Sequence, residues 1–326
     1  MKNKITSQIQ IAVLLIFMIL LETTAFYLDS QDNQKNIVAA AGIGIPDEQG
    51  TVSGGGFSYG LYNFENKLYD NSDNLASITD GTFSAVYSFE QEELSGIRDY
   101  ILIIMVDFKQ TEFEVNGKTY RNYRFSLEDE SKCEIEFKLS NLPEDAYEMQ
   151  YLVFFDPDCT NLSFSDEGWD NIMNTNDVCI NRLRFSSSKK PSDNLRYIEG
   201  TQMTLEEDQS YDGVSISRYK SNITILPKAE SGKKVYLFIG NYHEEDTDFT
   251  AVAFCNWEQV NILPEEDNFY VKLPPHTPNY YEFYLPKVQE DSPYQIVTFD
   301  QPFGNEEYPD SSASDRTIIK GEKATQ

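Results

Sequence analysis

The sequence predicts an all-β protein: two tandem Ig-like antiparallel β-sandwich domains behind an N-terminal hydrophobic helix. Three observations carry that prediction. From Phe57 onward, short alternating or apolar segments recur, separated by Gly, Pro and Asn. The aromatic residues are 21 Tyr and 21 Phe against 2 Trp, a strand-favouring set. One stretch also occurs twice. Val86-Tyr87-Ser88-Phe89 through Asp107-Phe108-Lys109-Gln110 aligns without a gap on Val235-Tyr236-Leu237-Phe238 through Asn256-Trp257-Glu258-Gln259. The offset is 149 residues, and Asp99-Tyr100 falls on Asp248-Phe249.

The chain begins with Lys2 and Lys4, then the apolar run 11–21, the interruption at Glu22 and a milder stretch to Leu28. A basic start before such a run reads as a secretory signal peptide. Left uncleaved, it reaches the lower end of a spanning transmembrane helix. Lys2 and Lys4 would stay inside, with Asp29 and Asp32 outside. Residues 1–28 are therefore expected to be a signal peptide or a membrane anchor. Either one places the rest outside the cytoplasm: at the cell membrane with the bulk extracellular, or secreted after cleavage. Residues 29–56 read as a flexible tether, polar at 29–34 and glycine-rich at 54–56.

The first β-domain is expected at 57–187, with strands at 85–89, 100–108, 120–127, 133–139 and 147–155. Within 133–139 the alternation is strict: Cys133, Ile135, Phe137 and Leu139 face in, and charged residues face out. Asn116-Gly117 marks a hairpin turn. The second domain, 193–320, repeats the order with strands at 235–239, 250–257, 269–273, 281–285 and 294–299. A late Arg follows in each half, at Arg182 and Arg316, each within a last strand. Residues 186–192, rich in Ser and Lys, read as the linker. No helical periodicity is expected beyond the N-terminus.

A net charge of −28 opposes binding to nucleic acid, because a phosphate backbone requires basic neutralisation, and opposes charge-driven contact with anionic lipid. The only expected membrane contact is through the N-terminal segment. In its basic start and acidic, β-rich remainder the chain resembles cell-surface proteins of Gram-positive bacteria, a resemblance of composition.

Four cysteines occur, none in a CxxC pair. Cys159 and Cys179 bracket an acidic loop absent from the second half, and a disulfide is expected to close it. Cys133 and Cys255 read as small buried hydrophobes. The loop carries Asp156, Asp158, Asp166, Glu167, Asp170 and Asp177, oxygen ligands of the kind calcium takes, but no EF-hand spacing. Solvated acids are the default there, with Asp246 and Asp248 a weaker calcium candidate.

Gln110 and Gln259, each closing a strand, are assigned to backbone satisfaction. His243 and His276 stand without companion motifs, and no GxSxG, HExxH, Walker or GxGxxG pattern occurs. No catalytic residue, cofactor-binding residue or metal ligand is singled out, and a non-enzyme is expected. Trp169, Tyr280 and Tyr281 are the aromatics expected to face a ligand. The expected function is that of a non-catalytic surface protein that binds another protein, with a carbohydrate-binding module as the alternative.

Overall fold

The computed structural model describes residues 45–46, 52–54, 57–91, 96–128, 130–176, 178–186, 195–204, 213–263, 268–304 and 310–322, all within one compact unit spanning 40–326. The expected N-terminal helix lies outside the described residues, as does the expected linker apart from Ser186. Among the described residues no helix is long and apolar enough to cross a membrane.

The chain is nearly all β, in four sheets. The first begins with β1 (Ile45–Pro46), β2 (Val52–Gly54), β3 (Phe57–Tyr62) and β4 (Phe83–Gln91). It continues through β10 (Lys132–Leu139), β7 (Phe113–Val115) and β8 (Lys118–Tyr120). Two of these strands fall where the sequence predicts a tether throughout. Val52 and Ser53 instead pair with Tyr59 and Ser58, because the edge of β3 offers unpaired backbone groups to the segment just before it.

The second sheet runs β12 (Val178–Arg184), β11 (Glu148–Phe155), β5 (Arg98–Val106) and β6 (Lys109–Gln110), with β9 (Asn122–Leu127) also on β5. The expected strand at 120–127 is thus divided between two sheets, at Arg121. The expected 100–108 strand stops at Val106, because Asp107 and Phe108 take positive φ to turn the chain into β6. Asn116 and Gly117 also take positive φ, at 51° and 75°, and form the expected hairpin between β7 and β8.

The third sheet repeats the second. Its β17 (Thr247–Cys255) pairs with β18 (Glu258–Val260), β19 (Asn268–Leu273) and β21 (Ser292–Asp300), as β5 pairs with β6, β9 and β11. Beyond β21 lie β22 (Ser311–Ala313) and β23 (Thr317–Lys320), the latter parallel to β15 (Lys228–Glu230). The fourth sheet is β13 (Thr201–Gln202), β20 (Pro278–Tyr284), β16 (Lys234–Gly240) and β14 (Gly213–Ser217).

Three apolar cores glue these sheets together. Side chains such as Tyr87, Phe137, Leu102 and Val153 fill the space between the first and second sheets. Leu237, Phe283, Ala251 and Ile296 do the same between the third and fourth. The third core is the informative one. Ile101, Ile103, Leu152 and Phe154, from the opposite face of the second sheet, pack with Val252, Phe254, Val297 and Phe299 of the third. The two middle sheets are therefore buried on both faces. This is why β5, β11, β17 and β21 read as continuous apolar runs while β10, with one exposed face, alternates.

The one described helix, α1 (Asp166–Thr175), is absent from the sequence expectation. Ser165 caps it, accepting from the Gly168 N–H, and Asp166 and Glu167 sit in its first turn, favourable to the helix dipole. Gly168, Ile172 and Thr175 form its buried face, with Ile172 against Leu162 and Ile318. Its apolar side chains, Trp169, Ile172 and Met173, span barely one turn, too short a pattern to stand out in an acidic loop.

Candidate functional site

The repeated stretch lies at the junction of the halves, where its two copies contact each other. The Gln110 N–H donates to Gln259 Oε1 at 2.6 Å, and the Gln259 N–H donates to Gln110 Oε1 at 2.6 Å. Gln110 Nε2 donates to the Trp257 carbonyl at 3.0 Å, and Gln259 Nε2 to the Phe108 carbonyl at 2.9 Å. Both glutamines satisfy backbone groups, and each does so in the other half of the molecule. The preceding turns match: Asp107 and Asn256 have φ of 49° and 50°, Phe108 and Trp257 of 64° and 66°.

The two late arginines cross in the same manner. Arg182 donates through Nη1 to the Asp300 carbonyl at 2.5 Å. Arg316 donates to the carbonyls of Phe155 at 2.6 Å and Asp156 at 2.7 Å. Each guanidinium covers an aromatic of its own half, Arg182 over Phe108 at 5.8 Å and Arg316 over Trp257 at 4.8 Å. Arg182 also forms a buried fork with Glu148, with contacts of 3.1 Å. Arg316 has no such fork, and its burial lowers its pKa to about 10.

Beside this junction lies a cluster of chemically capable side chains. His243 Nε2 is 2.8 Å from Asp300 Oδ2, and the Tyr242 hydroxyl is 2.9 Å from the same oxygen and 2.5 Å from Asp310 Oδ2. The Tyr242 and His243 rings stack at 4.2 Å. Three elements supply these groups: the loop after β16, the end of β21 and the residue before β22. Burial and the two carboxylates drive the Tyr242 pKa far above its ordinary value, so the phenol keeps its proton. No spacing rule connects His243 to Asp300, 57 residues away, or to Asp310. The sequence signal was no more than a His following a Tyr in a loop.

The aromatics expected to face a ligand divide. Tyr281 is buried in the core between the third and fourth sheets, because on β20 it alternates inward with Phe283. It faces no ligand. Tyr280 points the other way, onto the outer face of the fourth sheet. There it meets Tyr236 at 5.8 Å and 82° and Phe238 at 5.9 Å and 47°. Tyr284, 64 % exposed, lies on the same face four residues further along β20. Trp169 is half-buried on α1 with its ring 6.3 Å from that of Phe164, which is 60 % exposed.

The expected disulfide is not formed: none of Cys133, Cys159, Cys179 and Cys255 is part of a disulfide. Cys179 points into the core between the first and second sheets, whereas Cys159 packs with Leu162, Ile172 and Ile318. Burial raises the Cys133 and Cys255 thiols to about 11, in keeping with inert core residues. In the acidic loop, Asp156 pairs with Arg98 at 3.1 Å and Asp158 with Arg124 at 2.7 Å, and Asp166 and Glu167 serve the helix N-terminus. Asp177 lies outside the described residues. Asp248 accepts from the Tyr197 hydroxyl at 2.9 Å. These carboxylates have structural work.

No family model and no curated protein matches the chain. Among solved structures it is similar to the transglutaminase of red sea bream, with 6 % identity over 83 % of this chain and 32 % of that one, at a TM-score of 0.23. It spans about a third of that protein's length. A structure titled BspA_C_WT shares 7 % identity over 80 % of this chain and 99 % of that one, at 0.21. The secreted serine protease VesC of Vibrio cholerae shares 9 % over 75 % and 49 %, at 0.20. Likeness at these scores carries no argument about activity.

Proposed function

We propose that the chain is an exported, membrane-tethered, non-catalytic surface protein, built of two tandem Ig-like sandwiches, that engages a protein partner. The contact surface is the outer face of its fourth sheet. The observation that carries this reading is the arrangement of that face. The half-buried Tyr236 and Tyr280 and the exposed Tyr284 project from this face beside the exposed Lys234–Glu282 ion pair at 3.0 Å, next to a part of the face where Ser215, Ser217 and Phe238 are covered. An aromatic centre with a polar rim suits a protein contact. The 82° angle between the Tyr236 and Tyr280 rings offers no flat platform for a sugar ring. With a net charge of −28, the chain favours a partner that surrounds its apolar centre with Lys and Arg. The basic start and apolar run at 11–21 support export and tethering.

The test is retention of cross-linked cell-envelope proteins on the immobilised chain, with and without polysaccharide digestion. The proposal expects a specific protein that survives digestion and is lost with Tyr280→Ser. Retention indifferent to that substitution would refute the assigned face. A second reading, a carbohydrate-binding module, draws on Phe164 and Trp169, whose rings are inclined by only 31°. It takes over if retention disappears on digestion and with Trp169→Ala.

A further inference from the structure

The geometry points to a binding site for a first-row divalent transition cation, of the Zn²⁺ or Mn²⁺ class, formed by His243, Asp300 and Asp310. The ligating atoms of these three residues all lie within 4.8 Å of one another. A cation with bonds of about 2.0–2.2 Å to nitrogen and carboxylate oxygen is reached from there by side-chain rotation of the half-buried Asp310.

The site is supported as metal sites are, by a second set of residues that fix the ligands. Asn241, fully buried, accepts the His243 N–H at 2.9 Å. Its own amide donates to the carbonyls of Glu245, Leu273 and Pro274, at 2.8, 3.0 and 3.0 Å. The loop that carries His243 is thereby pinned. From the other half of the molecule, Arg182 Nη1 holds the carbonyl of Asp300 at 2.5 Å and that of Asp310 at 3.3 Å. The Asp300 N–H donates to the Asp310 carbonyl at 3.1 Å. Two segments whose carboxylates lie ten positions apart in the chain are thus held in one place before any ligand arrives.

Charge supplies an independent argument. Asp300 is 2 % exposed, and among the described residues no Lys or Arg side chain forms an ion pair with it or with Asp310. The carboxylates converge on one Tyr242 hydroxyl, which has a single proton to give. Among the described residues Glu148, as little exposed as Asp300 at 2 %, is matched by a guanidinium. A cation at His243–Asp300–Asp310 would bind both carboxylates directly, which Arg182 does not, since it reaches only their backbone carbonyls. The donor set decides its class. Imidazole with two carboxylates suits Zn²⁺, Mn²⁺ and their neighbours, whereas Ca²⁺ and Mg²⁺ take oxygen alone and Cu⁺ prefers sulfur. The His243 side chain remains 20 % exposed, which leaves one side of the site open to solvent.

The test uses the untagged full chain, stripped with a chelator and titrated with Zn²⁺, Mn²⁺, Ca²⁺ and Mg²⁺ in a calorimeter. The expected result is one equivalent of Zn²⁺ or Mn²⁺, with affinity reduced at least tenfold in Asp310→Asn and in His243→Gln. His276→Gln, at an exposed histidine paired with Glu244, is expected to change nothing. At a hundredfold excess over its dissociation constant the cation is expected to raise Tm by about 5 °C. Because the chain has 2 histidines, Mn²⁺ should broaden one imidazole in a proton spectrum, the one that survives His276→Gln. Binding of no transition cation, binding of Ca²⁺ in preference, or binding untouched by both ligand substitutions would overturn the assignment. Circular dichroism of Asp310→Asn, a half-buried position, separates lost ligation from lost folding.

Discussion

Replacing Arg182 with Met would test the junction between the halves at its most sensitive point. The guanidinium is 3 % exposed and forks onto Glu148, itself 2 % exposed, through contacts of 3.1 Å. Its Nη1 also serves the Asp300 carbonyl in the other half. Methionine keeps the apolar stem beside Phe108 and Phe299, so packing changes little, while every donor disappears. Glu148 is then a buried carboxylate whose remaining side-chain donor is Gln150 Nε2 at 2.6 Å. Stranding one member of a buried ion pair costs about 3–5 kcal/mol. In urea, with a slope of about 3 kcal/mol per molar, the midpoint should fall by about 1 M or more. Arg182→Met combined with Glu148→Gln removes the stranded charge and should recover about half of the loss. A loss below about 1 kcal/mol, or no recovery in the double variant, would refute the reasoning.

Three further outcomes follow from the same structure. Burial raises Asp107 and Asp315 to about 6, above their unfolded values, so the folded state holds more protons between about pH 4 and 6. Their contribution is present at low pH and lost as pH rises through 6. Asp291, held low by Lys320, and Asp70, where backbone N–H donors outweigh burial, act oppositely, losing stability below about pH 4. Thermal denaturation across pH should therefore peak near pH 5 rather than pH 7, and a steady rise to neutrality would contradict this. Gln110→Ala and Gln259→Ala should each cost about 1 kcal/mol, and together less than the sum, since they break one reciprocal set of bonds; strict additivity in a double-mutant cycle would count against the pairing. A reducing agent should leave Tm unchanged, and thiol titration of the unfolded chain should find 4 free thiols.

Much of the strand order was legible because its signal is local. Cys133 through Leu139 alternates visibly, and the apolar runs at β5 and β17 repeat at the same spacing as Gln110 and Gln259. What those runs meant was not legible. A strand buried on both faces looks the same whether a helix or a second sheet covers it, so nothing in the sequence joined Ile103 to Val252. Arg182 lies within its expected last strand, whereas Arg316 falls just before β23, and the partners of both are carbonyls of the other half, which carry no residue signature. Tyr280 and Tyr281 show the limit of reading adjacent aromatics, since the pleat sends one outward and the other into the core. The cluster of His243, Asp300 and Asp310 depends on three turns converging, and no spacing within one element announces it. The helix α1 was missed for a different reason: its Ser165 cap was present in the sequence, but its apolar stripe was thin.

The two halves form one body through the core of Ile103, Phe154, Val252 and Phe299 and through the crossed glutamines and arginines. Differential scanning calorimetry of the chain tests it most directly. One transition, with equal calorimetric and van't Hoff enthalpies, is the predicted result. Two separable transitions, or one whose calorimetric enthalpy is about twice the van't Hoff value, would mean independent domains and would contradict the account.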